Sequence, residues 1–396
     1  MNGNVTHALG LHMHQPPGNL RLLIETNEWE AQQIIRCYER AARYAHQLKD
    51  VAFYHVGFSG VLLEQFLDPR MVDLYRRFVD IPAMLESYRT AQNIELIGMG
   101  YYHPIFPLIP QEDWDEQLAS GRQLLKEVFC RAPRGFWPPE MAFCMEMIPA
   151  LVRAGYEYVV VDGVHVRAKG GGKTDIYQPY CATYGGKSIT VIPRDRDISN
   201  AQESGLDPSW FANEIRHKVA NSPHPQAPRL ITTWSDGENG GWFRQMAEEA
   251  GFFGHFFTPY MNQVRSGQSA TRTVLLSDYL QSHSATEEAS VQTGAWNIGS
   301  ACGVDFRQWA GSESQRQALK KIVEVSSRYW KVKHSENRLP SEAENALKQA
   351  RHWILEGETS CFLFWGDAWV PKLYERTREA EKLLALVENH IAGVRS

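Results

Sequence analysis

Seven short apolar runs, separated by longer amphipathic stretches, constrain the folding of this chain more than any other feature. The runs are HALGLHMH (7–14), VAFYHVGFS (51–59), IELIGMGYYH (94–103), RGFWPPE (134–140), YEYVVVDG (156–163), SITVIPRD (188–195) and RLITTWSDG (229–237). Each is strand-length and rich in β-branched and aromatic residues. Intervening segments such as NEWEAQQIIRCYERAARYAHQL and DWDEQLASGRQLLKEVF instead repeat apolar residues every three or four positions. Strand alternating with helix predicts parallel β/α units. Most informative is how the runs close: on His14, Ser59, His103, Glu140, Asp162, Arg194 with Asp195, and Asp236. In a parallel barrel these C-terminal strand ends converge on one face, where chemistry gathers. The predicted fold is therefore α/β: an incomplete (β/α)7-type parallel barrel over residues 1–240, followed by a C-terminal helical bundle region over 241–396. The later stretches SESQRQALKKIVEVSSRYWKV and SEAENALKQARHWILEG are helical in pattern, and no further strand of comparable quality is expected.

Composition excludes several classes. A net charge of -5 with no basic patch argues against a nucleic-acid partner, and no apolar run is long enough to span a bilayer. The start, MNGNVTHALG, lacks the pattern of a secretory signal. The six cysteines carry no zinc-type or CxxC spacing, so reduced thiols and a cytoplasmic location are expected. The Gly-rich stretch 163–186 reads as a long mobile loop over the barrel mouth, with Tyr177, Tyr180 and Tyr184 available for substrate contact or ordinary packing. Oligomeric state is open.

Within the fourth run, Pro138 and Pro139 hold the backbone extended and deliver Glu140 rigidly behind Trp137. An aromatic ring beside a fixed carboxylate suits sugar chemistry. The seventh run supplies two more carboxylates, Asp236 and Glu238, and local sequence does not choose between them, because SDGENGG is also a good turn. His12 and His14 share one strand face at a spacing that can bind a metal. With Asp195 or Asp162 they would suggest a metal-dependent polysaccharide deacetylase, but the ligand set is incomplete and no metal is expected.

Taken in order, HQP (14–16), IGMGYYHPIFPLIP (97–110), WPPE (137–140), WSDGEN (234–239) and SCFLFWGDAW (360–369) resemble the motifs of glycoside hydrolase family 57, retaining enzymes that act mainly on α-glucans. The resemblance covers most of the chain. It implies Glu140 as nucleophile, Asp236 as acid/base and Glu238 as a supporting hydrogen-bonding residue. It further implies a site without metal or cofactor and an α-glucan or oligosaccharide partner, with His14 and His103 on sugar hydroxyls. His12, Gln15, Trp137, Asp162, Trp234, Trp365, Asp367 and Trp369 are the remaining candidate substrate contacts, and Trp242 is a further candidate platform. Asn239, Gly240 and Gly241 depart from the family pattern, as does the absence of a Ser-Asp start in the fifth motif. The short segment after Asp236 argues against branching activity.

Two carboxylates are needed because a glycosidic bond breaks through a positively charged, oxocarbenium-like transition state. In a retaining enzyme they stand about 5–5.5 Å apart. Glu140 would attack the anomeric carbon while Asp236 protonates the leaving oxygen, then serves as base for water or an acceptor sugar. Free Asp titrates near 4, so the surroundings of Asp236, including the charge of Glu140, must hold its proton. An α-amylase or 4-α-glucanotransferase type of activity is the leading expectation. An α-galactosidase or branching enzyme of the same family, the deacetylase, and a non-catalytic carbohydrate-binding protein are the alternatives.

Overall fold

A computed structural model of the protein describes residues 5–204, 206–238, 248–296, 305–335 and 339–395. All seven expected strands form, and they lie parallel. They are β1 (Val5–Met13), β2 (Tyr54–Phe58), β3 (Ile94–Gly98), β4 (Gly135–Phe136), β5 (Tyr158–Asp162), β8 (Lys187–Arg194) and β9 (Arg229–Asp236). Pairing runs β9-β1-β2-β3-β4-β5-β8. The β1/β9 register sets Val5 opposite Arg229 and, seven residues on, His12 opposite Asp236. That register brings a histidine of the first run and a carboxylate of the seventh to the same rim.

The ring stays incomplete between β8 and β9. Near the upper rim the Asp195 N–H donates to the Thr232 carbonyl at 2.8 Å, while lower down the Leu230 N–H turns to the carbonyl of Tyr177 at 2.9 Å. The bridging stretch belongs to residues 163–186, which are not the mobile loop expected. They form a helical turn (Gly163–His165), β6 (Val166–Ala168) and β7 (Tyr180–Tyr184), and β7 pairs antiparallel with β8. Gly185 and Gly186, at φ 55° and 72°, make the two-residue hairpin turn, a conformation that needs positive φ at both positions. The run of glycines concealed this hairpin. The Tyr177 hydroxyl donates to Asp195 at 2.9 Å and that of Tyr180 to the Asp175 carbonyl at 2.8 Å, both buried, while Tyr184 stands exposed at the opposite barrel end from the catalytic rim. Asp175 also pairs with Arg229, each 1 % exposed.

Two short strands beyond residue 240 also correct the expectation. β10 (Thr271–Thr273) lies parallel to the start of β1, and β11 (Glu287–Val291) joins β6 and β7. Three and five residues are too few for period-2 alternation to stand out from the flanking sequence. Farther on, helices Glu313–Lys333, Ser341–Gly357 and Val370–Arg395 bury a separate apolar core including Ile322, Val325, Ala350, Ile354, Leu384 and Val387. Ser312 and Gln315 close the first of these with a reciprocal capping box. Buried Asp113, on helix Gln111–Phe129 beside the barrel, ties the bundle down. It pairs with Arg351 at 2.6 Å and accepts from Ser326 at 2.6 Å and Trp330 at 2.7 Å. Among the described residues no helix is long and apolar enough to cross a membrane.

Barrel packing leaves no room at Gly10, where a Cβ would lie 2.0 Å from the Trp234 ring. Overpacking of this kind costs about 1–3 kcal/mol. Gly10→Ala is expected to lower the urea midpoint accordingly, with an unchanged slope; an unaltered midpoint would contradict the packing described.

Candidate active site

Strand β4 is only two residues long, and Glu140 lies beyond its end. After it, the Trp137 N–H donates to the Gly98 carbonyl at 2.8 Å and keeps the chain on the barrel rim. Pro138 is extended, as a residue before proline should be. The chain then turns sharply: Glu140 and Met141 have φ of 57° and 53°. This left-handed conformation costs a non-glycine residue about 1–3 kcal/mol and is found chiefly where surrounding structure enforces it. Trp296 is the enforcer here. Its backbone N–H donates to the Glu140 carbonyl at 2.9 Å, and its indole N–H to Glu140 Oε2 at 2.8 Å. Glu140 is 8 % exposed.

Three histidines surround the space between Glu140 and Asp236. His103, itself at φ 58°, places Nδ1 2.7 Å from Ser360 Oγ and 3.9 Å from Glu140 Oε1. Its Nε2 is 2.6 Å from Nε2 of His12. Across the His12 ring, Nδ1 stands 3.4 Å from Asp236 Oδ1. The His14 ring stacks on His103 with centroids 3.8 Å apart, holding Ser59 Oγ at 2.8 Å and Cys361 Sγ at 3.1 Å. Ser59 serves twice, since its Oγ also accepts from the Leu62 N–H to cap helix Gly60–Leu67. Burial lowers the pKa of all three imidazoles: His12 to about 4, and His14 and His103 well below the usual value, with neighbouring rings adding to the effect. At neutral pH they act as neutral hydrogen-bonding groups, and their carboxylate contacts are not ion pairs.

Asp236 ends β9 and is partly exposed to the rim. Glu238 follows on a turn fixed by the Gly237 N–H, which donates to the His12 carbonyl at 2.7 Å. Its Oε1 accepts from the Tyr38 hydroxyl at 2.5 Å and the His14 backbone N–H at 3.2 Å. Burial pushes its pKa up to about 7. Gln15 joins this group, hydrogen-bonding Glu238 while its own Oε1 accepts from Asn19 at 2.6 Å.

The remaining candidates separate by exposure. Trp137 and Trp234 are wholly buried, 5.1 Å apart between centroids, and pack the barrel interior; neither shows a face to solvent as a sugar platform must. Asp162 is likewise fully buried and serves as counter-ion to Arg194 at 3.3 Å and Arg196 at 2.9 Å instead of facing the rim. Trp365, by contrast, is 56 % exposed, with half-buried Trp369 at 6.3 Å and exposed Asp367 between them. Trp242, Asn239, Gly240 and Gly241 lie outside the described residues. Trp296, Ser360, Cys361 and Tyr38 went unnoticed as individual site residues. Only the quoted fifth motif pointed toward two of them. Among the described residues no group of three or more His, Cys, Asp or Glu is arranged to hold a metal ion.

Sequence comparison gives this partly closed parallel barrel, with two carboxylates at its rim, a family. The model of glycosyl hydrolase family 57 matches residues 8–292, and the chain belongs to that family. It is 28 % identical to an alpha-amylase of Pyrococcus horikoshii over 70 % of this chain and 40 % of that protein. It is 30 % identical to a 4-alpha-glucanotransferase of Thermococcus kodakarensis over 70 % and 39 %. The chain thus spans about two fifths of the length of these curated relatives. In structure it resembles the 4-alpha-glucanotransferase of Thermococcus litoralis (TM-score 0.71, 19 % identity, 96 % of this chain and 60 % of that one). It resembles a GH57-type branching enzyme of Pyrococcus horikoshii equally (TM-score 0.71, 16 % identity, 96 % and 87 %). Both likenesses support the barrel with its helical region.

Proposed function

We propose that this chain is a retaining glycosidase or transglycosidase of α-linked glucans or oligosaccharides, working through a glycosyl-enzyme on Glu140 with Asp236 as acid/base. The observation that carries this is the linkage of the two carboxylates through His103 and His12 at the C-terminal strand ends. In the first step Glu140 attacks the anomeric carbon as Asp236 passes its proton to the leaving oxygen. In the second, Asp236 takes a proton from water or a sugar hydroxyl as that oxygen displaces Glu140. Trp296 suits Glu140 to this role, because an N–H donor favours the ionised carboxylate. The same residues serve hydrolysis and transfer, and relatives with both names exist. We assign the barrel up to about residue 240 the chemistry, and the region after it the completion of the site, since Ser360 and Cys361 reach the imidazoles. Unpaired Cys37, Cys130, Cys144, Cys181 and Cys361 fit a reducing, cytoplasmic setting.

Incubation with maltooligosaccharides and amylose, with and without EDTA, tests this reading by product chromatography. Shorter sugars mean hydrolysis and a ladder of longer ones means transfer. Absence of both, or loss of turnover to the chelator, would sink it. Exposed Trp365 is the proposed platform for an outer sugar. Aromatic ring pairs contribute about 0.5–1.5 kcal/mol, and with a ring–sugar contact of the same order Trp365→Ala should raise KM for maltoheptaose about 2- to 10-fold with kcat little changed. Equal KM values would remove Trp365 from the site.

A further inference from the structure

We infer that Ser360, His103 and His12 form a directional hydrogen-bond chain through which the charge on Glu140 keeps the proton on Asp236. This rests on the assignment of nucleophile and acid made above and adds Ser360 as a positioning residue.

Proton counting along the chain gives it a direction. An ionised Glu140 only accepts, and Ser360 Oγ stands 3.4 Å from its Oε1, in donor geometry. If the one hydroxyl proton points at Glu140, Ser360 Oγ must accept from His103 Nδ1–H, 2.7 Å away. A neutral imidazole with Nδ1–H has a bare Nε2, so the 2.6 Å contact with His12 requires the proton on His12 Nε2. His12 Nδ1 is then bare, and its negative end stands 3.4 Å from Asp236 Oδ1 without being aligned for a hydrogen bond, a neighbour that disfavours a negative charge on the carboxyl and so favours the protonated acid. Reversing every bond gives the arrangement that suits an ionised Asp236, with Ser360 turned away from Glu140. Before the first step the charge on Glu140 selects the former. Once Glu140 is an ester it carries no charge, the selection lapses, and Asp236 is free to act as base.

The chain is built into the fold. His12 is fixed opposite Asp236 by the β1/β9 register. The Ser360 N–H donates to the His103 carbonyl at 3.0 Å, and Pro104 bridges to Thr359, so the late segment is sewn to the turn that carries His103. Other groups face the same carboxylates: Glu238 and Cys361 near Asp236, Arg40 and Glu248 on the small pocket that Asp236 also lines, and Trp296 and Cys361 near Glu140. All of these remain in Ser360→Ala, although Cys361 loses its hydrogen bond to Ser360, so the ring tautomers and the Ser360→Thr variant are read beside it.

Histidine-selective 15N labelling reads the ring tautomers in the wild-type protein without any turnover. The expected result at neutral pH is His12 protonated on Nε2 and His103 on Nδ1; the opposite pair overturns the inference. In kinetics, Ser360→Ala should move the alkaline limb of kcat/KM down by about one pH unit, a tenfold loss on that side, and Ser360→Thr should restore it. A uniform loss with an unmoved limb would make Ser360 merely structural and also overturn the inference. Mass spectrometry of the protein with a 5-fluoro α-glucosyl fluoride separates the two layers. No adduct on Glu140 counts against the proposed function, whereas the tautomers decide the chain by themselves.

Discussion

Glu140→Ala should abolish turnover of α-glucans, with kcat down on the order of 10^4-fold or more, the scale on which enzymes lose a covalent nucleophile. The fold should hold, because Trp296 still has the backbone carbonyl of residue 140 to bond and the strained turn lies past the end of β4. Removing the side chain opens a small space below the anomeric carbon, lined by Trp296, Ser360 and His103. Azide should enter it and attack from that side. An α-glucosyl donor with a good leaving group would then give a β-glucosyl azide, since one displacement inverts where two retain. Chromatography and NMR of the product identify the anomer. Wild-type rates in the variant would refute the nucleophile assignment, and an azide product of α configuration would place the attacking group elsewhere.

Much of this site was legible because barrel topology converts order along the chain into proximity. Once seven parallel strands are read, the groups after each must meet at one rim, and His12, His14, His103, Glu140 and Asp236 do meet there. Burial was not legible. Trp137 and Trp234 neighbour the two carboxylates in sequence, which made them attractive as sugar platforms. Trp234, however, shares a strand face with Asp236 but lies one layer deeper, and both rings are enclosed in the packed interior instead of reaching the rim. Asp162 sits at a strand end like the others, but the arginines of the next strand and the helix after it claim it. Two of the residues not singled out individually, Trp296 and Ser360, come from far along the chain. Trp296 follows β11, and Ser360 lies between two helices, so no local pattern marks either as a partner of Glu140.

The histidines also show why a cluster of titratable groups need not be a charged one. Three stacked and edge-on imidazoles crowded together cannot all protonate, and burial pushes each of their pKa values below the usual range. A neutral imidazole carries one donor and one acceptor. It therefore passes on direction instead of charge, which suits the proposed roles of Glu140 as ionised nucleophile and Asp236 as protonated acid.

Asp236→Asn should separate acid from nucleophile by the leaving group it spares. For maltooligosaccharides, whose leaving alkoxide needs a proton, general-acid loss should lower kcat/KM by about 10^2- to 10^4-fold. For α-glucosyl fluoride, which departs without protonation, kcat/KM should stay near the wild-type value, because only the first step enters it. The second step still lacks its base, so fluoride should be released in a burst followed by slow turnover. The alkaline limb of the pH profile should vanish with the ionising group. Glu238 is the rival, since burial has pushed it up to about 7, close to what a general acid requires. Geometry counts against it: Oε1 is held by Tyr38 and the His14 N–H, fastening the turn to β1 and helix Glu28–Gln47. Glu238→Gln keeps an acceptor for both donors and should act alike on both substrates. If Glu238→Gln instead spared only the fluoride while Asp236→Asn slowed both equally, the acid would be Glu238, and Asp236 would serve to orient His12.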